Sequence, residues 1–269
     1  MDFALNEIQQ ELKHQARAWL AERYPLDRDW EAPQDDRWDE LAELGWLDVA
    51  AAELGFVEEA LLLEEMGYAL YPGPYLVHVA SGGSGRLELN GLAVGGDVGE
   101  PVESVDPTRP LRRVEQTSES HESPRLRAAM AAEAVGVAQR ALDLGVDHAK
   151  SRMQFGKPIG TYQAVSHPLA QTYTDVELAR SLAYWAAWCV AEEDEQAPVA
   201  AAAAKAFCTE AAVVACERSI QAHGGIGFTW EHPLHRFYKR ALWLEGFGKR
   251  PGQLRLELAD ALLGVGVTA

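Results

Sequence analysis

The chain has 269 residues, 48% of them hydrophobic and 24% charged, which is enough material for one large domain or two small ones around a real core. Its 24 Lys and Arg stand against 41 Asp and Glu, a net charge of −17 that argues against nucleic acid and anionic membrane surfaces as main partners. Cys189, Cys208 and Cys216 are odd in number and lack C-x-x-C spacing. They fit a reduced cytoplasm better than a disulfide framework. Acidic residues occupy the start, where a signal peptide needs a basic one, and no apolar run approaches the roughly 18 residues of a membrane span. A cytoplasmic location is therefore expected.

Residues 5–22 place Leu5, Ile8, Leu12, Ala16, Trp19 and Leu20 at helical spacing, and Pro25 ends the run. A second helical run, residues 37–44, stops at Gly45, a favourable residue beyond a helix end. Residues 56–70 alternate apolar and acidic positions with a 3.6-residue period, and Pro72 and Pro74 force residues 71–75 to be extended or turned. Residues 81–124 change texture: a Gly-rich stretch, a short strand or two within residues 102–116, and a polar linker QTSESHESP. This segment is too short and polar to form a domain alone.

Helix returns after Pro124. Residues 125–150 are Ala-rich and amphipathic, SRMQFGKPIGTYQ breaks the run with Pro158 and Gly160, and residues 161–194 form a long apolar helical segment. Pro198 suits a first helical turn, residues 199–222 are very rich in alanine, and Gly224-Gly225 ends that helix. Short helices are predicted over residues 234–243 and 253–263. The fold class is mainly α, with an N-terminal helical domain (1–80), a shortened middle segment (81–124) and a C-terminal four-helix bundle (125–269).

Three stretches carry chemistry. In Arg152-Met153-Gln154-Phe155-Gly156-Lys157 a guanidinium suited to phosphate and a ring suited to stacking share one turn. An ordinary helix–helix turn explains the same residues. In Gln221-Ala222-His223-Gly224-Gly225 two glycines let a ligand approach a helix end, although a plain helix cap has the same composition. In Thr229-Trp230-Glu231-His232-Pro233, apolar walls from Trp230 and Phe228 would raise the Glu231 carboxyl toward the working range of a general base. A helix N-terminus with an acid in its first turn is the equal alternative.

A metal site built from His223, Glu231, His232 and His235 is disfavoured, because no H-E-x-x-H occurs and Pro233 interrupts the helix that would align them. No metal is expected. The basic cluster Arg236, Lys239, Arg240, Lys249 and Arg250 is read either as a phosphate receptor or as a solvated helix face.

RMQFGKPIGTYQAVSHPLA (152–170), ELAR (177–180) and QAHGGIGFTWEHPLHRFYKRA (221–241), in that order, resemble the acyl-CoA dehydrogenases. WDELAELGWLDVA (38–50) and LEEMGYALYPGPYL (63–76) resemble that family's first helical domain. The resemblance implies FAD as cofactor and α,β-desaturation of an acyl-CoA. It implies that Arg152, Gln154, Phe155 and Gln163 contact the ADP half of FAD, while Gln221, Gly224 and Gly225 hold its pyrophosphate or adenine side. In that family these contacts reach a flavin seated mainly in a neighbouring subunit.

TWEHPLH resembles an actinobacterial branch acting on steroid side-chain CoA esters, which implies Glu231 as the base. Other branches use a Glu-Gly after the short basic helix, where Glu245-Gly246 lies at a shorter spacing. Residues 81–124 are much shorter than the family's middle β-domain. The resemblance therefore implies a heterotetramer with a full-length dehydrogenase-like partner, and an electron-transfer acceptor protein downstream. The alternatives are a non-catalytic structural subunit of such an assembly and a helical scaffold or binding protein with no redox role.

Overall fold

The computed structural model describes residues 4–32, 34–115 and 122–264. Four helices form the N-terminal part. Helix α1 (Glu7–Arg23) opens on a capping box, in which the Asn6 side chain accepts from the Gln9 amide at 2.9 Å and the Gln9 side chain accepts from the Asn6 amide at 3.1 Å. Helix α2 (Trp38–Glu43) stops before Gly45, whose φ of 74° is left-handed. Helix α3 (Phe56–Ala69) follows, and the chain turns at Pro72 and Pro74. Tyr75 then opens a further helix, α4 (Tyr75–Ala80), which the two prolines obscured in the sequence.

The alternation in α3 suggests one wet face, yet Glu64 and Glu65 are only 1% exposed. The helix is sandwiched between α1 and the C-terminal bundle. Its acids are therefore paired instead of hydrated: Lys13 lies 2.9 Å from Glu64, Arg180 3.1 Å from Glu64, and Arg17 forms a two-pronged contact with Glu65.

The middle segment contains more strand than its composition suggests. Strands β1 (Leu87–Leu89), β2 (Leu92–Val94), β3 (Glu100–Val102) and β4 (Leu111–Arg113) pair antiparallel in the order β1-β2-β4-β3. Four strands of three residues bury little on their own. Asp106 and Arg109, in the loop between β3 and β4, tie the sheet to the helices below. Residues 116–121 of the polar linker lie outside the described residues. Its next residue, Glu122, is buried, pairing with Lys205 and with Arg127, so this end of the linker is anchored.

The C-terminal part is built from α5 (Pro124–Ser151), α6 (Gln163–Ala191), α7 (Ala197–His223), α8 (Leu234–Gly246) and α9 (Pro251–Leu263). Ser123 caps α5 by accepting from the Leu126 amide at 3.1 Å, with Pro124 in the first turn. Helix α7 packs on α5, α6, α8 and α9. By length and composition it is apolar enough to cross a bilayer, but two-thirds of its most apolar window is buried inside the bundle (67%). Its alanines let neighbours approach closely. Glycines do the same where α3 crosses α5: a Cβ on Gly136 would lie 1.8 Å from the Glu64 carbonyl oxygen, and one on Gly67 would lie 2.2 Å from that of Glu133. One continuous core joins the N-terminal helices to the bundle.

Candidate active site

The site rests on a buried ionic cluster. Arg240, in the middle of α8, is fully buried and donates to Asp106, to Glu133 of α5, to the Thr108 hydroxyl and, at 3.2 Å, to the Tyr71 carbonyl. Arg109 reaches the same Glu133 carboxylate at 2.7 Å and the Gly73 carbonyl at 2.9 Å. Burial alone would raise the Asp106 carboxyl, but Arg240 and Arg109 hold it below the usual carboxylate range. This cluster locks α8, the sheet loop and the α4 entry onto α5.

Arg240 is thus no phosphate receptor. Arg236 pairs with Glu31 at 2.6 Å and Lys249 pairs with Glu257. Of the basic run read from the sequence, Arg240 is an internal clamp, Arg236 and Lys249 form ion pairs, and Lys239 lies over an aromatic ring. Glu133 and Lys205 each stand as a single charge among alanines, and that context was the available signal that they are buried in pairs.

The hairpin after α5 presents the first set of candidates. Strands β5 (Met153–Gln154) and β6 (Lys157–Pro158) pair across a two-residue turn, Phe155-Gly156, with φ of 51° and 82°. Such turns favour Asn-Gly, and an aromatic residue in the left-handed region costs about 1–2 kcal/mol. The cost is borne by a side chain that is 91% exposed and meets the Tyr162 ring edge-on, with centroids 6.5 Å apart. Arg152, Gln154 and Gln163, the first residue of α6, are exposed beside it. Among the described residues Arg152 makes no ion pair.

The second set sits at the end of α7. Gly224 has φ of 65°, and a Cβ added at Gly224 or Gly225 would meet no atom within 4 Å. Gln221 is exposed in the preceding turn. The His148 ring, in the last turn of α5, stacks on that of His223, the last residue of α7, with centroids 4.2 Å apart. The hairpin and the glycine pair therefore share one end of the bundle. A guanidinium, three amides, an exposed ring and an open glycine cradle are a donor set suited to a phosphate-bearing, ring-containing cofactor.

Glu231 belongs to the same end, but not in the surroundings read from the sequence. It lies in the turn between the short Gly224–Phe228 3-10 helix and α8, three residues before α8 begins. It is exposed, as are Phe228 (74%) and Trp230 (73%), so the expected apolar walls do not enclose it. Lys239 lies over the Trp230 ring at 4.6 Å. Glu245 is half-buried in the last turn of α8, where burial, with Glu210 and Glu217, pushes its carboxyl up.

His232 packs on His223 at 4.4 Å, whereas His235 faces Trp230 at 4.7 Å. Among the described residues no group of three His, Cys, Asp or Glu is arranged to hold a metal ion. An apolar groove of about 610 Å³ lies between α5 and α6, lined by Leu142, Val146, Leu169 and Tyr173 and closed by Pro158 of the hairpin. Glu231 is not part of it.

Residues 6–91 match the family described as acyl-CoA dehydrogenase, N-terminal domain, and residues 124–248 match acyl-CoA dehydrogenase, C-terminal domain. The chain belongs to the acyl-CoA dehydrogenase family. It is 41% identical over 148 residues to the acyl-CoA dehydrogenase IpdE2 of Mycobacterium tuberculosis, an alignment covering 53% of this chain and 45% of that protein. The matched part is thus less than half of that relative's length.

Two solved structures share the fold. The ChsE4-ChsE5 complex from Mycobacterium tuberculosis has a TM-score of 0.78 at 20% identity, covering 99% of this chain and 100% of that one. Butyryl-CoA dehydrogenase from Megasphaera elsdenii has a TM-score of 0.78 at 19% identity, covering 98% and 100%.

Proposed function

We propose that this chain is a subunit of an FAD-dependent acyl-CoA dehydrogenase that introduces an α,β double bond into an acyl-CoA, a steroid side-chain CoA ester being the favoured substrate class. The observation that carries the reading is the convergence, at one end of the bundle, of the Arg152–Phe155 hairpin with the open Gly224-Gly225 cradle, in a chain of this family. Arg152, Gln154, Phe155 and Gln163 would hold the ADP half of FAD, and Gln221, Gly224 and Gly225 its pyrophosphate or adenine side. When bound, the flavin supplies the acceptor for the β-hydride.

Glu231 takes the α-proton. Its exposure on this chain supports a heteromeric site, because a thioester α-proton is removed efficiently only by a carboxylate shielded from water. A full-length dehydrogenase-like partner would cover the Phe228–Trp230 surface, and the short four-stranded sheet leaves the flavin ring seat to that partner. The complex works in the cytoplasm and passes its electrons to an electron-transfer acceptor protein. The same exposure favours one second reading, a subunit that lends only cofactor contacts while the partner supplies the base.

The test is anaerobic mixing of the co-expressed complex with acyl-CoA, following loss of oxidised flavin absorbance. Glu231→Gln should keep flavin and acyl-CoA while flavin reduction slows by about two to four orders of magnitude. Bleaching at the wild-type rate would remove Glu231 from the mechanism, and Glu245→Gln measured alongside would separate the α8 position from a base on the partner. Stoichiometric flavin on the chain purified alone would contradict the shared site.

A further inference from the structure

Three imidazoles from three separate places in the chain meet at the candidate site. His148 of α5 stacks on His223 of α7 with centroids 4.2 Å apart and planes 26° apart, and His232 of the Glu231 turn lies on His223 at 4.4 Å and 54°. His223 is held in place by donating from Nδ1 to the Ser219 carbonyl at 2.8 Å, and His232 Nδ1 accepts from the Leu234 amide at 3.3 Å. The segment between them is seated closely: a Cβ on Gly227 would meet the Ile220 carbonyl oxygen at 2.7 Å and the His223 Cβ at 3.0 Å. Beyond this, the 224–233 segment is exposed along most of its length.

We infer that the packed rings of His148, His223 and His232 are a latch that seats the 224–233 segment, and with it Glu231, on the end of the bundle, and that the latch holds only while the rings are uncharged. His223 is then a positioning residue, acting on Glu231 through His232. A proton added to His223, the middle ring, would sit within about 4–5 Å of two neighbouring imidazoles, and one added to His148 or His232 within that distance of His223, so each added charge opposes the packing.

The charged and titratable groups bearing on the stack add to this. Arg152 at the end of α5 acts on His148, His235 of α8 acts on His232, and Arg236 and Lys239 of α8 act on His235. The carboxylate that acts on this set is Glu31, beside His235. Burial and these neighbours lower His148 and His232, the latter to about 4. In His223 burial outweighs the opposing Ser219 hydrogen bond. The role given to Glu231 rests on the proposed function; the latch itself does not.

The test uses the full chain labelled with fluorotryptophan, with the Trp230 fluorine resonance assigned by its loss in Trp230→Phe. Trp230 adjoins Glu231 and reports whether the turn is seated. In the wild type the Trp230 line should move to a solvent-released position as pH falls below the ordinary histidine value of 6.5 toward about 4, the range set by the lowered values of the seated rings. In His223→Phe, which keeps the middle ring but removes its protonation site, the line should move at a distinctly lower pH than in the wild type. In His223→Ala it should be released at every pH.

A wild-type line that does not move, a His223→Phe line that moves as the wild type does, or a His223→Ala line that is seated at neutral pH each overturns the latch. Should His223→Phe fail to fold by circular dichroism, His148→Phe replaces it with the same expectation. Undiminished flavin reduction by Glu231→Gln would sink the proposed base and leave these results standing, so the two failures are distinguishable.

Discussion

At the residue scale, the buried charges decide more than the exposed ones. Arg240 is fully buried against Asp106 and Glu133, and among the described residues the Glu133 Oε2 oxygen accepts no hydrogen bond. Arg240→Met keeps most of the volume but strips Asp106 of its ion-pair partner and leaves Glu133 with Arg109 alone in a dry interior. Breaking a buried pair in this way costs about 3–5 kcal/mol, far more than a surface pair is worth. Denaturant unfolding should show that loss as a lowered midpoint. By contrast Arg236→Met, which removes a contact to the 85% exposed Glu31 side chain, should leave the midpoint nearly unchanged. Equal effects from the two variants would show that the buried cluster contributes no more than a surface pair. The sequence marked Arg240 and Arg236 alike as basic; only the tertiary contacts separate them.

At the scale of elements, the joint between the N-terminal helices and the bundle is a crossing of bare backbones. Gly67 of α3 and Gly136 of α5 stand where a Cβ would collide with main-chain oxygen, at 2.2 Å and 1.8 Å. Main chain within a helix cannot rotate aside, so Gly136→Ala must push α3 off α5. Overpacking of this kind costs about 1–3 kcal/mol or more, which outweighs the roughly 1 kcal/mol that alanine gains over glycine in a helix. At Gly145 of α5 the colliding atoms are the side chains of Ser219 and Leu169, at 2.9 Å and 3.0 Å, and these can rotate. Gly145→Ala should therefore be the milder of the two in thermal melts, and the reverse order would contradict a backbone-to-backbone joint. Neither glycine announces itself in the sequence, since each sits inside a run with the composition of an ordinary helix.

At the scale of the whole molecule, the histidines set the acid side of stability. His148, His223, His232 and His235 all lie below their ordinary value of 6.5, burial being the largest cause in each. Above that value both folded and unfolded chains carry neutral rings, and the contribution is fully present. As pH falls below 6.5 the unfolded chain takes protons first, so stability is lost. Melting temperature should be flat from about pH 8 to about pH 6.5 and fall toward about pH 5, before the carboxyl groups titrate. A melting temperature that rises over that interval would contradict the neutral cluster.

The helices were legible in the sequence because each carries its own local instructions. Gly45, Pro124, Pro198 and Gly224 at helix ends act over three or four residues, whatever the rest of the chain does. Helix α4 was hidden, since its six residues follow two prolines and form a helix only because the core buries them. The exposed candidates Arg152, Gln154, Phe155 and Gln163 could be found as one contiguous stretch, and Gln221, Gly224 and Gly225 as another.

That these two stretches share one end of the bundle was decided by the stacking of α5 on α7, a contact between residues 75 positions apart. The surroundings of Glu231 were likewise a tertiary outcome. Two apolar neighbours in sequence do not make a dry pocket, because dryness depends on what covers them, and Phe228 and Trp230 remain 74% and 73% exposed.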